Sequence, residues 1–189
     1  MIDFKFTDEQ KQFRDLAHTF AEREMRPVAA HYDEAEEFPW EVLRKGQKVG
    51  LLAYSIPEEY GGAGIGSAVT GCLIAEELFW GCAGMATAAS GTMLAAFPIL
   101  LMGNEEQKRK YLPWFTDPDV LRLGAFALTE PGSGSDAASI STTARRDGDG
   151  YVLNGTKCFI TNGGIADLYI VFATLDKSAG AGGITAFIV

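Results

Sequence analysis

Apolar residues in the first part of the chain recur at steps of three and four positions, which is the period of an amphipathic α-helix. The first such segment covers residues 7–26 and opens with Thr-Asp-Glu-Gln, a capping-box pattern for a helix N-terminus. A proline at position 27 ends the pattern. The apolar face of this predicted helix consists of Phe13, Leu16, Ala17 and Phe20.

Four more helices are predicted before residue 121, each bounded by a capping residue, a proline or a glycine. They cover residues 39–49, 67–80, 83–101 and 104–113. The proline at position 113 is expected to close the last of them. Residues 1–120 are therefore predicted to form an all-helical N-terminal domain.

After residue 120 the pattern changes to short runs rich in β-branched and aromatic residues, separated by Gly, Asn and Asp. The pair Asn154-Gly155 between two of these runs predicts a two-residue hairpin, because both central residues of a type I′ turn need positive φ. Helices that precede strands exclude a repeating βαβ pattern and indicate an α+β fold. The predicted strands are residues 123–128, 141–146, 151–154, 156–161, 168–174 and 184–189.

The last predicted strand, residues 184–189, is apolar, and the sequence stops inside it without a turn or a polar tail. An exposed edge of this kind promotes aggregation unless another strand covers it. We therefore expect that the chain is a fragment, or that its sheet is completed by polypeptide outside this sequence.

Composition and charge exclude several classes of protein. Hydrophobic residues make up 47% of the chain, which indicates a globular protein, and a net charge of -9 argues against a nucleic-acid partner. Three cysteines without CxxC spacing indicate neither a disulfide framework nor a metal site. The first residues are charged every few positions and do not show the apolar run of a signal peptide, and the apolar runs elsewhere fall short of the roughly 18 residues of a membrane span. We expect a cytoplasmic protein without a membrane partner.

A glycine-rich segment at residues 61–66 invites comparison with a dinucleotide-binding loop. Its glycines lack the two-residue gap before the third glycine of that motif, and residues 57–60 do not form a buried parallel strand. A plain loop between two helices is the favoured interpretation. A nicotinamide-dinucleotide protein built on this loop remains an alternative.

A second glycine-rich loop, at residues 129–136, follows the first predicted strand. Its proline fixes one φ angle and its glycines free others, so that successive N–H groups could converge on an anion, with the Ser133 and Ser135 hydroxyls as further donors. A plain surface turn has the same composition. Residues 159–164 favour binding, because they repeat the design of a buried aromatic strand that ends in a hydroxyl and a flexible loop. Two such strand ends could hold one flat heteroaromatic ring.

The sequence resembles the acyl-CoA dehydrogenases, and the resemblance covers essentially the whole chain. Four segments in the family's order carry it: residues 57–62, 103–113, 127–136 and 153–163. Residues 141–145 and 183–187 are most similar to the short-chain, butyryl-CoA type. The implied architecture is a helical N-terminal domain (1–120) and part of an antiparallel β-barrel middle domain (121–189), before a C-terminal helical bundle.

The resemblance implies FAD as the cofactor and assigns residues to it. Thr129 would lie near the pyrimidine edge of the flavin, Phe159 beside the ring, and the Thr161 hydroxyl next to flavin N5. Ser135 would reach toward the cofactor phosphates and the bound acyl-CoA. The implied FAD-binding residues are Phe126, Leu128, Thr129, Gly134, Ser135, Phe159, Ile160 and Thr161.

The implied reaction is α,β-dehydrogenation of a short-chain acyl-CoA in fatty-acid β-oxidation, with hydride passing to flavin N5 and electrons to an electron-transferring flavoprotein. Family members are commonly homotetramers. The family's catalytic glutamate belongs to the C-terminal bundle, so no catalytic residue is assigned here, and Glu130 is interpreted as a structural or surface carboxylate. The alternative is a non-catalytic flavin- or acyl-CoA-binding module.

Overall fold

The computed structural model describes residues 5–189, so the first four residues of the predicted helical domain lie outside it. Helix α1 (Asp8–Phe20) begins after Thr7. The Thr7 hydroxyl accepts the Gln10 N–H at 3.2 Å, and the Gln10 side chain accepts the Thr7 N–H at 2.9 Å. The capping box that the sequence predicts is therefore confirmed.

The end of the first helix differs from the prediction. A π-helical turn (Ala21–Met25) and a 3₁₀ turn (Arg26–Val28) continue the chain into helix α2 (Ala29–Ala35). Pro27 lies in the first turn of the 3₁₀ segment, where an N–H has no helical acceptor, so the helical conformation continues past the proline. Helix α2, which the sequence pattern did not predict, ends at Ala35, and the residue that caps it, Glu36, has a φ of 54°.

The remaining helices are close to their predicted bounds: α3 (Trp40–Lys48), α4 (Ala68–Gly81), α5 (Ala83–Met102) and α6 (Glu105–Thr116). The expectation that Pro113 closes α6 is wrong, because the helix runs three residues further. Leu112 and Phe115, on either side of the proline, are both fully buried. Their packing into the core outweighs the hydrogen bond that Pro113 cannot donate.

Helix α5 joins the helical region to the sheet, because small residues allow a close approach. A Cβ on Gly124 would lie 2.6 Å from Ala95 Cβ. The Gly124 N–H also donates to the Thr92 hydroxyl at 3.3 Å. By length and composition α5 could cross a membrane, contrary to the sequence expectation, but a core helix passes the same test and 56% of its apolar window is buried.

The sheet contains β1 (Gly124–Ala127), β2 (Thr143–Asp147), β3 (Gly150–Asn154), β4 (Leu168–Thr174) and β5 (Ile184–Ile188). Strand β4 lies at its centre. It pairs in parallel with β1 and, at one bridge, with β2, and it pairs antiparallel with β5. Strands β2 and β3 form an antiparallel hairpin. The five strands thus form a mixed, open sheet, which differs from the antiparallel barrel that was expected.

The hairpin turn lies elsewhere than predicted. The register of β2 and β3 pairs Asp147 with Gly150, so the turn consists of Gly148 and Asp149. Gly148 has a φ of 58°, whereas neither residue of the predicted Asn154-Gly155 turn has positive φ. Gly155 is needed for a different reason, because a Cβ there would lie 2.7 Å from the Thr142 Cα.

Residues 156–161 do not form the predicted strand. Phe159 has a φ of 56°, which is incompatible with extended backbone and interrupts the run. The apolar strand β5, by contrast, has a partner within the chain, since Ile170 to Thr174 of β4 pair with Ile188 to Ile184.

The glycine loop at residues 61–66 is not a dinucleotide-binding loop. It follows a 3₁₀ turn (Glu58–Tyr60) instead of a strand, and it leads into α4. Gly61 and Gly64 have φ angles of 88° and 67°, as expected for a loop that turns sharply between two helical segments.

Candidate functional site

Two loops meet at one end of the sheet and form the candidate site. The first loop (residues 128–136) follows β1, and the second loop (residues 155–167) connects β3 to β4. The Cys158 N–H donates to the Thr129 carbonyl oxygen at 3.0 Å. Every residue for which the sequence predicts cofactor contact lies in these loops, except Phe126, which lies in β1.

A buried ion pair locks the two loops together. The Lys157 ammonium lies 2.8 Å from Glu130 Oε1, and their side chains are only 11% and 3% exposed. The same ammonium donates to the Leu128 carbonyl oxygen at 2.9 Å. A single lysine from the second loop thus holds two residues of the first loop.

Glu130 also fixes the entry to β2. Its Oε2 accepts the backbone N–H and the hydroxyl of Ser141, both at 2.6 Å, and its Oε1 accepts the Thr142 N–H at 2.9 Å. Burial alone would raise the pKa of the Glu130 carboxyl, but the hydrogen bonds from Lys157, Ser141 and Thr142 outweigh it and hold the pKa well below its ordinary value of 4.5. Glu130 is therefore an ionised structural carboxylate, as the sequence interpretation proposed, and not a proton acceptor.

Strand β1 presents one face to the core, and the side chains of its other face are half-buried. Ala125 and Ala127 are buried, whereas Phe126 and Leu128 alternate with them and are half-buried. The Phe126 ring lies 4.9 Å from the ring of Phe172 on the neighbouring strand. Phe126 and Leu128 therefore lie on one face, next to the first loop.

Polar and aromatic groups of the two loops are available to a ligand. Thr129 and Thr161 are half-buried, and within residues 5–189 neither hydroxyl has a hydrogen-bond partner. Phe159 is 94% exposed, so it does not lie in the buried aromatic strand that was predicted. An aromatic ring held outward on a residue with positive φ offers a face for stacking.

The glycine-rich part of the first loop is open on one side. A Cβ on Gly132 or Gly134 would meet no atom within 4 Å. The N–H groups of Gly134 and Ser135 donate to no acceptor in the described part of the chain, so they are free to bind an anion. Ser133 is different, because it is buried and its hydroxyl donates to the Asp136 carbonyl oxygen. The expectation that Ser133 is a further donor is therefore wrong.

Sequence reasoning missed two residues that shape the site, Lys157 and Asn162. Asn162 is 7% exposed and links the second loop to α5 and to β1. A lysine inside an otherwise apolar run and an asparagine before two glycines were the available signals. Ile160, a predicted contact residue, is half-buried and accepts the Gly163 N–H at 2.8 Å.

An apolar cleft of about 220 Å³ lies beside α5. Its walls include Ala89, Ser90 and Met93 on α5 and Leu78 on α4. Ser90 is exposed, and its hydroxyl donates to the Ala86 carbonyl oxygen of the same helix. Ser90 therefore gives the cleft a small, weakly polar wall. The next residue along α5, Gly91, lies against Thr161.

Both regions of the chain match the same family. The family model described as "Acyl-CoA dehydrogenase, N-terminal domain" matches residues 7–118, and "Acyl-CoA dehydrogenase, middle domain" matches residues 125–189. The chain belongs to the acyl-CoA dehydrogenase family.

Among curated relatives, an acyl-CoA dehydrogenase of Bacillus subtilis is 46% identical over 97% of the chain and 48% of its own length. A short-chain-specific acyl-CoA dehydrogenase of Clostridium acetobutylicum is 42% identical over 100% of the chain and 49% of its own length. A 3-(aryl)acrylate reductase of Clostridium sporogenes is 46% identical over 97% of the chain and 48% of its own length. The chain thus spans about half the length of these relatives.

Solved structures agree with this membership. Butyryl-CoA dehydrogenase from Megasphaera elsdenii superposes with a TM-score of 0.91 at 43% identity, covering 100% of this chain and 50% of that one. An acyl-CoA dehydrogenase complexed with FAD from Bacillus anthracis has a TM-score of 0.85 at 39% identity, covering 100% and 32%. A chain from a structure of an electron transferring flavoprotein of Acidaminococcus fermentans has a TM-score of 0.93 at 41% identity, covering 100% and 49%.

Proposed function

We propose that this chain provides the FAD-binding part of an acyl-CoA dehydrogenase. The single observation that carries the proposal is the junction of the two loops, where the Cys158 N–H bonds to the Thr129 carbonyl and Lys157 pairs with Glu130. The junction brings the end of β1 and the second loop together beside the outward Phe159 ring. It is consistent with the relative that was solved in complex with FAD.

The groups present fit a flavin. A flat ring needs an aromatic face and hydrogen-bond donors around its edge, and its pyrophosphate needs N–H donors. Phe159 supplies the face, Thr129 and Thr161 supply hydroxyls without a partner in the described chain, and Gly134 and Ser135 supply free N–H groups. Phe126, Leu128 and Ile160 would complete the apolar surroundings, and Ser135 would also contact the substrate.

Bound FAD would supply the hydride acceptor for oxidation of the Cα–Cβ bond of an acyl thioester. Our assignment gives Thr161 the most direct role, because a preorganised hydroxyl at flavin N5 favours the reduced ring without reorganisation. A general base of suitable pKa is also required, and we assign none among these residues, because the low pKa of Glu130 makes it a poor proton acceptor.

The names of two relatives favour a short acyl chain, since one is short-chain specific and another is a butyryl-CoA dehydrogenase. We propose an electron-transferring flavoprotein as the redox partner, in line with the neighbour from an electron transferring flavoprotein structure. A second candidate is reduction of an acrylate-type double bond, because a relative that is 46% identical is a 3-(aryl)acrylate reductase. Anaerobic mixing distinguishes oxidation from reduction of the substrate. Butyryl-CoA reduces and bleaches the flavin of a dehydrogenase, whereas an acrylate reoxidises the reduced flavin of a reductase.

Several further expectations remain proposals. These are a domain boundary between residues 120 and 121, closure of the mixed sheet into a barrel by additional strands, a homotetramer, a role in fatty-acid β-oxidation and a cytoplasmic location. The free state of Cys72, Cys82 and Cys158 is consistent with a reducing compartment. Sedimentation and localisation of a tagged protein would test the assembly and the compartment.

The central test is titration of FAD into the flavin-free complete enzyme that contains this chain, followed by flavin fluorescence. We expect saturable binding, and in that enzyme we expect Thr161→Ala to slow reduction of the flavin by acyl-CoA by roughly tenfold or more while FAD affinity changes less. Thr156→Ala is a matched control, because Thr156 is exposed in the same loop. A chain that binds no FAD, or a Thr161→Ala variant reduced as fast as wild type, would refute the assignment.

A further inference from the structure

Asn162 links three parts of the molecule through one buried side chain. Its Nδ2 donates to the Ala88 carbonyl of α5 at 3.0 Å and to the Gly124 carbonyl of β1 at 3.2 Å. The backbone carbonyl oxygen of Asn162 accepts the N–H groups of Ile165 and Ala166 and so begins the turn into β4. Because two carbonyls face the amide, the orientation of the Asn162 side chain is determined by its partners.

The backbone of Asn162 adopts the left-handed conformation, with a φ of 64°. Asparagine tolerates this region better than most residues do. The sharp turn leaves the preceding residue, Thr161, pressed against α5. The positive φ of Asn162 and its two side-chain hydrogen bonds therefore both constrain the backbone next to Thr161.

Gly91 of α5 lies close to the Thr161 side chain. A Cβ on Gly91 would lie 2.6 Å from Thr161 Cγ2 and 3.0 Å from Asn162 Nδ2. Real Cβ atoms essentially never come within 3.0 Å of another atom, so with any larger residue at position 91 either Thr161 or α5 must shift. The methyl group of Thr161 packs on the helix, and this contact restricts the rotation of its side chain.

The same segment of α5 borders the apolar cleft. Ser90 and Met93 line the cleft, and Gly91 between them contacts Thr161. One rigid helical turn therefore carries both a wall of the cleft and the surface on which Thr161 rests. A shift of this helical turn by less than about 1 Å would displace Thr161, because packed protein interiors are close to incompressible.

We infer that Asn162 and Gly91 are positioning residues that fix the Thr161 hydroxyl relative to α5. The inference rests on the proposed function for the role of Thr161 toward the flavin, but the contact itself is a property of the chain alone. Neither residue is assigned a contact with cofactor or substrate. Their effect on the flavin is exerted through Thr161.

The first test is a double-mutant cycle on the flavin-free chain. We expect Gly91→Ala to lower the thermal midpoint by roughly 2–12 °C through overpacking. Thr161→Ser removes the Cγ2 methyl but keeps the hydroxyl. Combining Thr161→Ser with Gly91→Ala should therefore restore at least half of the fall in thermal midpoint that Gly91→Ala causes. Gly84→Ala is the matched control on the same helix, because a Cβ there meets no atom closer than 4.0 Å. Strictly additive effects of Gly91→Ala and Thr161→Ser would overturn the inference.

The second test uses a readout that a merely structural role would leave unchanged. Asn162→Gly keeps the freedom for positive φ but loses both side-chain hydrogen bonds, and Asn162→Asp is isosteric but places oxygens against two carbonyls. At saturating FAD we expect each to change the preference of the site for reduced over oxidised flavin by about tenfold, a shift of about 30 mV in midpoint potential. A lower thermal midpoint with an unchanged potential would show a purely structural role and overturn the inference.

The two proposals fail in distinguishable ways. A wild-type chain that binds no FAD would refute the proposed function, and the role of Asn162 toward the flavin with it, while the thermal cycle at Gly91 and Thr161 would still report their contact. Normal FAD binding with an unchanged potential in both Asn162 variants would refute only the positioning role.

Discussion

Replacing Glu130 by glutamine perturbs the junction of the two loops most directly. The substitution preserves the volume of the side chain but removes its charge. Glu130 is 4% exposed and accepts hydrogen bonds from Lys157, Ser141 and Thr142. A glutamine has one acceptor oxygen instead of two, so at least one of these donors faces an amide NH₂ group.

The magnitude follows from the burial of the pair. The Lys157 side chain is 11% exposed, so its ammonium cannot recover full hydration when the carboxylate is lost. Breaking a buried ion pair by removing one partner costs about 3–5 kcal/mol. For a chain of this size we expect the thermal midpoint of Glu130→Gln to fall by roughly 6–20 °C.

Thermal or urea unfolding of the flavin-free chain, followed by circular dichroism, measures the effect. Glu41→Gln is the matched control, since Glu41 forms an exposed pair with Arg44 in which the two side chains are 71% and 52% exposed. Such surface pairs contribute only about 0–1 kcal/mol. Adding Lys157→Met to Glu130→Gln removes the unpaired ammonium, so the double variant should be more stable than the sum of the single losses by about 1 kcal/mol or more.

Two results would refute this reasoning. One is a Glu130→Gln variant that loses no more stability than Glu41→Gln. The other is strict additivity of Glu130→Gln and Lys157→Met, which would show that the ion pair is not the source of the loss.

Three further predictions concern the same region. Folding holds the pKa of Glu130 below its ordinary value of 4.5, so the contribution of the carboxylate to stability is complete above about pH 4.5 and is lost as the pH falls through the folded pKa. Measured against decreasing pH, the free energy of unfolding should therefore fall more steeply for wild type than for Glu130→Gln. Gly155→Ala brings a Cβ within 2.7 Å of the Thr142 Cα and should lower the thermal midpoint by roughly 2–12 °C, whereas Gly66→Ala, with open space, should not. Phe159→Trp should bind FAD within about threefold of wild-type affinity, because Phe159 is 94% exposed and a larger ring has room; fluorescence titration checks this, and a loss of binding would contradict it.

Much of the helical region could be predicted because its signals are local. The capping box at Thr7 and the starts of α3, α4 and α6 depend on residues within one turn of each other. The end of α6 could not be predicted in this way, because the burial of Leu112 and Phe115 by distant parts of the chain overrides the proline between them.

The site shows the same division. The sequence by itself determined that two segments, residues 129–136 and 159–164, carry hydroxyls, glycines and an aromatic residue, and the family resemblance that identified them is a property of the sequence. Only the tertiary structure decided that Lys157 reaches Glu130, that Phe159 turns outward with positive φ, and that Asn162 bonds to α5 and β1. These contacts join residues far apart in the chain, and their energies depend on burial, which local sequence patterns do not specify.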